Sequence, residues 1–171
     1  MLRQSRCLKD NAMATEIERK FLVRNDDWRS DAPDGVAMRQ GYLAGNDQCS
    51  IRVRISGDQA HLNIKSATLG VTRTEYEYSI PVNEADEMLN NLCAGPLIEK
   101  VRHHVKHGQH VWDIDVFEGD NRDLVVAEIE LKDKDEPFDR PAWLGEEVSD
   151  DPRYYNVCLV SNPYKNWRND R

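Results

Sequence analysis

The sequence contains little of what marks several common protein classes. Its 171 residues include only four cysteines, three phenylalanines and nine glycines, and aromatic residues make up 8%. The cysteines are Cys7, Cys49, Cys93 and Cys158, which lie far apart without any C-x-x-C pair. This spacing argues against a cysteine zinc site or a dithiol redox motif, and reduced thiols in a cytoplasmic protein explain it most simply.

Long apolar runs and an excess of basic residues are missing as well. No segment approaches the roughly 20 apolar residues that a membrane-spanning helix needs, and the mean hydropathy is -0.75. The formal net charge is -8, so the protein does not present a general surface for polyanions. We therefore expect a soluble protein without a membrane or nucleic-acid partner, in which a local basic cluster holds any bound anion.

The first residues differ from the rest of the chain. Residues 1–12 have no sustained periodicity, lack the apolar segment of a secretory signal, and precede a second methionine, Met13. A disordered extension over residues 1–12, or translation from Met13, explains them better than a transit peptide. The remaining length is that of one domain, which we expect over residues 13–171.

Polar and apolar residues alternate in eight segments, which predicts eight β-strands, because strand side chains point to opposite faces in turn. These are residues 16–23, 37–43, 50–55, 60–65, 73–80, 98–105, 111–117 and 125–131. One helix is predicted from Glu84 to Cys93, with Asn83 as its N-cap and Leu92 in its apolar stripe. Tyr76 and Tyr78 fall on the apolar face of their strand, together with Trp112 on another, and we expect all three to pack beneath helices.

The first strand carries Glu16, Glu18 and Lys20 on one face. A solvated surface is the ordinary interpretation of such alternation, but adjacent carboxylates repel each other unless water or a cation separates them. Charges two residues apart recur on seven of the eight strands. Their acids are Glu16, Glu18, Glu75, Glu77, Asp113, Asp115, Glu128 and Glu130, and their bases are Lys20, Arg52, Arg54, Lys65, Arg73, Lys100 and Arg102.

Two architectures satisfy this pattern: a flat sheet with one wet face, and a closed antiparallel barrel with a polar lumen. The acid pairs fall on strands one, five, seven and eight, and the base pairs on strands three and six. This segregation favours the barrel, because it suits a divalent metal at one wall and a polyphosphate against another.

The motifs resemble those of the CYTH superfamily, also called triphosphate tunnel metalloenzymes. Residues 16–23 are similar to its E-x-E-x-K signature, and the likeness continues in order through residues 39–43, 52–54, 65, 75–77, 99–102, 113–117, 128–130 and 145–156. It covers Ala14 to Pro163. The resemblance implies a mainly β fold with some α structure: an eight-stranded antiparallel closed barrel, forming a tunnel with a polar lumen and peripheral helices.

The resemblance also implies residue roles and a cofactor. The implied metal ligands are Glu16, Glu18, Asp115, Glu128 and Glu130, with Asp113, Glu75 and Glu77 as further candidates, and the metal is Mg²⁺ or Mn²⁺. The implied substrate ligands are Lys20, Arg39, Arg52, Arg54, Lys65, Arg73, Lys100 and Arg102. Lys20, Lys65, Arg52 and Arg54 carry the catalytic assignment. Tyr42, Tyr155 and Asn156 are expected to support the tunnel wall.

The expected function is metal-dependent hydrolysis of inorganic triphosphate, or of a small organic triphosphate, with release of phosphate. Phosphoryl transfer needs mainly positioning and charge neutralisation, so metals and a basic cradle suffice. A class IV-like adenylate cyclase that makes cyclic AMP from ATP and a non-catalytic polyphosphate-binding module remain open alternatives. The expected partner is a small-molecule triphosphate, and the protein is expected to be a monomer or homodimer.

Overall fold

The computed structural model describes residues 15–67 and 71–167. The expected extension at residues 1–12, Met13 and Cys7 lie outside the described residues, while Cys49, Cys93 and Cys158 are free thiols. The strands are β1 (Thr15–Val23), β2 (Val36–Gly45), β3 (Cys49–Ser56), β4 (Gln59–Ser66), β5 (Thr72–Ile80), β6 (Ile98–His107), β7 (His110–Phe117), β8 (Val125–Glu130) and β9 (Leu144–Glu147). The helices are α1 (Val82–Asn91) and α2 (Asn156–Ser161), with short 3-10 turns at Asp27–Ser30, Gly119–Asn121, Pro152–Tyr154 and Tyr164–Asn166.

Eight strands close into an antiparallel barrel. Neighbouring strands follow the order β5, β4, β3, β2, β6, β7, β8 and β1, and β1 completes the ring by pairing with β5 from Thr15 opposite Thr74 to Ile17 opposite Thr72. The predicted closed barrel is therefore confirmed. The short ninth strand, β9, pairs with the end of β1 and was not predicted.

Two-residue hairpins connect β3 to β4 and β6 to β7. Their first residues, Gly57 and Gly108, both have a φ of 58°, a left-handed conformation that costs glycine little because it has no Cβ. Helix α1 begins earlier than predicted, because Pro81 rather than Asn83 is its N-cap. Leu92 is its C-cap and is exposed, so the prediction that Leu92 belongs to the buried stripe is wrong. No helix among the described residues is long and apolar enough to cross a membrane.

Apolar clusters cover part of the outer barrel surface. Trp112 is fully buried with Ile114 and Ile129, as the alternation predicted, but the rings of Phe21, Phe138 and Trp143 that contact it belong to no helix. A second cluster packs α1 onto β3 around Val53. Tyr76 and Tyr78 are 52% and 54% exposed, so the prediction that they pack beneath a helix is wrong.

A third cluster fills one end of the barrel interior. It joins inward-facing residues of β6, β7 and β8 to the C-terminal segment, and includes Ile98, Phe117, Val126, Tyr154, Leu159 and Trp167. Because apolar side chains occupy this end, the charged inward-facing residues share the rest of the lumen. The same packing places the start of α2 beside that polar space.

Candidate active site

The lumen contains a cavity of about 800 Å³. Inward-facing side chains from seven strands line it, since alternate residues of each strand share a face. The predicted site residues at its surface are Glu16, Glu18, Lys20, Arg52, Arg54, Lys65, Arg73, Glu75, Glu77, Lys100, Arg102, Glu128 and Glu130. The structure thus brings most of the predicted acids and bases together, whereas Arg39, Asp113 and Asp115 are not at the cavity surface.

Arg39 lies on the outside of the barrel. Its Nη1 donates a hydrogen bond to Asp86 Oδ1 on α1 at 3.1 Å. The alternation along β2 instead turns Gln40 and Tyr42 inward, and Tyr42 lines the cavity. The prediction that Arg39 binds substrate phosphates is therefore wrong, because its guanidinium points away from the lumen and binds a helix carboxylate.

Three glutamates form the acidic side of the cavity, on β1 and β8. Glu18 and Glu130 are direct cross-strand partners, an arrangement in which like charges destabilise the pair. Burial and the nearby carboxylates of Glu16 and Glu18 raise the pKa of Glu130, which forms no ion pair within the described part of the chain. This excess of negative charge on oxygen donors suits a hard divalent cation.

Lysines contact two of these glutamates. Lys65 Nζ donates to Glu16 Oε2 at 3.0 Å, and Lys20 Nζ lies 3.5 Å from Glu18 Oε1. In residues 15–67 and 71–167, no three acids, histidines or cysteines converge into a preformed metal cage. These contacts use Oε2 of Glu16 and Oε1 of Glu18, so the second oxygen of each carboxylate can still bind a cation.

Asp115 anchors cations behind the cavity surface. It is fully buried, contacts Lys100 Nζ, and accepts hydrogen bonds from Arg102 Nε and Nη2, each at 2.6 Å. Burial alone would raise the pKa of Asp115, but Arg102 and Lys100 hold it below its usual value. Asp113 accepts from Arg102 Nη1 at 2.7 Å and lies 2.6 Å from His104 Nδ1. In this arrangement the carboxylates of Asp115 and Asp113 contact Lys100, Arg102 and His104, and the metal-ligand role that the sequence suggested for them stays a prediction.

The two buried lysines of the cavity titrate differently. Burial disfavours the charge on Lys20, but contact with Glu128 and the nearby Glu18 raise its pKa above the usual lysine value. Burial and, to a smaller extent, repulsion by Arg102 lower the pKa of Lys100 to about 8, and they outweigh the attraction of the carboxylates of Asp115 and Glu128. Lys20 therefore stays charged across the neutral range, whereas the charge on Lys100 responds to mildly alkaline pH.

Guanidinium groups crowd the cationic side of the cavity, on β3 to β6. Burial and the neighbouring Arg52 and Arg102 lower the pKa of Arg54. Glu77 Oε2 accepts from Arg54 Nη2 at 2.9 Å, and Glu75 lies 3.5 Å from Arg52. A bound polyanion would relieve the repulsion among these guanidiniums, and Arg can bind phosphate oxygens through two parallel hydrogen bonds.

The sequence profile of the CYTH domain matches residues 14–155. The chain belongs to the CYTH family. The membership expected from the ordered motifs is therefore confirmed, and the match spans every strand of the closed barrel.

CYTH relatives match this chain along nearly its whole length. It is 47% identical over 156 residues to an inorganic triphosphatase of Acetivibrio thermocellus, covering 91% of this chain and 99% of that protein. It is 40% identical over 155 residues to an inorganic triphosphatase of Nitrosomonas europaea, covering 85% and 97%. A crystal structure of an inorganic triphosphatase matches with a TM-score of 0.61 at 36% identity, covering 88% of this chain and 97% of that one.

Tyr42, Arg73 and Tyr155 also line the cavity of this CYTH barrel. Burial raises the pKa of Tyr42, whereas the nearby Arg52 and Lys20 act to lower it. The sequence suggested only that Tyr42 supports the tunnel wall. Tyr155 does fit that role, since its hydroxyl donates to Ser149 O at 2.7 Å. The guanidinium of Arg73 lies 5.3 Å from the Tyr155 ring centre. It forms no ion pair with any described residue, so its N–H groups can donate hydrogen bonds to an anionic ligand.

Two buried amides were not predicted as site residues. Gln40 is 1% exposed, and neither of its amide atoms has a hydrogen-bond partner in the part of the chain that the structure describes. Asn63 is fully buried and bonds Glu75 and Glu77. Gln40 lies two residues before Tyr42, and Asn63 lies two residues before Lys65, so alternation puts each on the inner face. The charge pattern could not identify them, because both side chains are neutral.

Proposed function

We propose that this CYTH protein is a metal-dependent hydrolase that cleaves inorganic triphosphate and releases phosphate. The observation that carries this proposal is the convergence of cationic side chains from five strands on one enclosed cavity. They are Lys20, Arg52, Arg54, Lys65, Arg73, Lys100 and Arg102. Relatives that this chain matches over most of its length are inorganic triphosphatases.

The lysines can hold carboxylates and substrate at the same time. Lys65 Nζ lies 3.0 Å from both Glu16 and Glu75, and a lysine ammonium has three donors. One N–H therefore remains for a phosphate oxygen. Lys20 is similarly placed between Glu128 and Glu18. Because phosphoryl transfer depends mainly on positioning and on neutralising charge, these cations need no covalent nucleophile beside them.

Glu16, Glu18 and Glu130 are the residues best suited to hold a divalent cation. They supply only carboxylate oxygens, and burial together with the nearby Glu16 and Glu18 raises the pKa of Glu130. We propose Mg²⁺ or Mn²⁺, both of which accept oxygen ligands. When bound, such an ion neutralises phosphate charge and lowers the pKa of a coordinated water. Glu128 is less available, because Lys20 contacts it and Arg102 Nη2 donates to it at 2.7 Å.

The cavity favours a purely inorganic substrate over a nucleotide. Charged side chains make up about half of its lining, and Tyr42 and Tyr155 are the aromatic residues at its surface among those described. Recognition of a base needs stacking faces, and these two tyrosines are the ones that the described lining offers. We expect the enzyme to act in the cytoplasm on free triphosphate, as a monomer or homodimer.

The deciding experiment is a phosphate-release assay on inorganic triphosphate, ATP and thiamine triphosphate, each with Mg²⁺ and with Mn²⁺. Inorganic triphosphate should be turned over fastest, and no cyclic AMP should form from ATP. Rapid cyclic AMP formation would favour the cyclase alternative. Tight triphosphate binding without turnover under any metal would instead leave a binding module.

A further inference from the structure

Asn63 links two carboxylates of the cationic side. It lies on β4 and is fully buried. Its Nδ2 donates to Glu75 Oε1 and to Glu77 Oε2, each at 2.7 Å. Because ionised carboxylates only accept hydrogen bonds, the amide nitrogen must face them, and both of its hydrogens are used.

The two carboxylates are the partners of three cations. Glu77 accepts from Arg54 at 2.9 Å. Glu75 lies 3.0 Å from Lys65 and 3.5 Å from Arg52. A change in the rotamer of either glutamate would therefore move the donors that face the cavity.

The strand register strengthens this arrangement. Asn63 is the direct cross-strand partner of Arg52 on β3 and of Glu77 on β5. Asn63 Oδ1 and Arg52 Nε are both buried, and neither has a hydrogen-bond partner among residues 15–67 and 71–167. Asn63 Oδ1 is an acceptor and Arg52 Nε is a donor. An aspartate here would repel both glutamates, and an apolar residue would leave them unbridged.

We propose that Asn63 is a positioning residue of this site: by fixing Glu75 and Glu77, it orients the three cations that these carboxylates bind. The inference rests on the proposed triphosphatase function. It assigns Asn63 no contact with substrate. Its effect should fall mainly on substrate affinity, because the cations that it orients hold the triphosphate before and during the reaction.

The test compares Asn63→Ala and Asn63→Ser with the wild type. Calorimetry should give the Kd of metal-free triphosphate, and steady-state assays with Mg²⁺ should give KM and kcat. We expect Asn63→Ala to raise Kd and KM about tenfold, the scale of one lost hydrogen bond to a charged group, with a smaller change in kcat. Asn63→Ser keeps one donor, and its Kd should lie between the other two.

Two further variants separate positioning from general stability. Asn121 is a buried amide outside the cavity that accepts from Tyr164 N at 2.8 Å, so Asn121→Ala should lower the Tm without raising Kd. Glu77→Ala should raise Kd, and adding Asn63→Ala to it should cost much less than tenfold, because both changes remove the hydrogen bond between Asn63 and Glu77.

The proposal fails if Asn63→Ala and Asn63→Ser bind triphosphate within about twofold of the wild type, or if the losses for Asn63 and Glu77 simply multiply. This outcome differs from failure of the proposed function. A wild type that binds triphosphate but does not hydrolyse it would overturn the triphosphatase assignment, while the Kd values would still decide the role of Asn63.

Discussion

The two sides of the lumen balance their charges differently. On the cationic side, most cations contact a carboxylate, as Arg54 contacts Glu77 at 2.9 Å and Lys65 contacts Glu75 at 3.0 Å. On the acidic side, Glu18 faces Glu130 directly across two strands, and Glu130 has no ion pair among the residues described. Matched pairs hold donors in fixed orientations for an anion, whereas unmatched carboxylates favour a cation.

Asp115→Asn would break the matched arrangement and should have the largest effect on stability. Asn keeps the volume but removes the charge that binds Lys100 and Arg102. Breaking a buried ion pair in this way typically costs about 3–5 kcal/mol, because the remaining charge stays buried without its partner. Urea unfolding should show a loss of this size in the free energy of unfolding.

Asp86→Asn is the matched control, since Asp86 forms an exposed pair with Arg39 on the outer surface. Exposed pairs contribute about 0–1 kcal/mol. Equal losses in the two variants would mean that Asp115 is no more important to the fold than a surface carboxylate.

Glu18→Gln would alter the unmatched side and should remove metal-dependent turnover. The change deletes a ligand charge with almost no change in volume. Even residues that only orient metal ligands typically contribute 10–100-fold, so we expect a loss of at least about 100-fold in phosphate release at saturating Mg²⁺. Glu146→Gln, on exposed β9, should keep full activity. Comparable rates for wild type and Glu18→Gln would remove this glutamate from the site.

The affinity for triphosphate should depend on pH through Lys100, a lysine of the cationic side. The pKa of Lys100 is lowered to about 8, so its charge is lost as the pH rises through that value. Metal-free triphosphate should bind roughly tenfold more weakly at about pH 9 than at about pH 7. Lys100→Arg should flatten this dependence, because arginine stays charged. An unchanged slope in Lys100→Arg would place the titration elsewhere.

The lowered pKa of Lys100 also makes the free energy of unfolding depend on pH. Folded Lys100 releases its proton more readily than the unfolded chain does. Between about pH 8 and the ordinary lysine pKa of 10.5, the unfolded state therefore binds more protons, and the contribution of Lys100 to the free energy of unfolding rises with pH.

Period-two alternation was enough to predict the barrel strands and most of the residues facing the cavity. Arg39 was assigned from the family resemblance, and it lies outside because β2 carries polar residues on both faces and α1 supplies Asp86 there. Alternation could not predict that Tyr76 is exposed, because its exposure depends on how far α1 extends over the sheet. Alternation assigned Asp115 to the inner face but could not show that Lys100 and Arg102 already occupy its oxygens.

The most direct test of an enclosed anion site is a thermal melt with and without metal-free triphosphate at physiological ionic strength. Binding at a hundredfold excess over Kd should stabilise the wild type by about 2.7 kcal/mol. Arg52→Ala should lose most of this gain, whereas Arg39→Ala, the same change on the outer surface, should retain it. The absence of a shift in the wild type, or equal shifts in all three proteins, would contradict convergence of the inward-facing cations on one bound triphosphate.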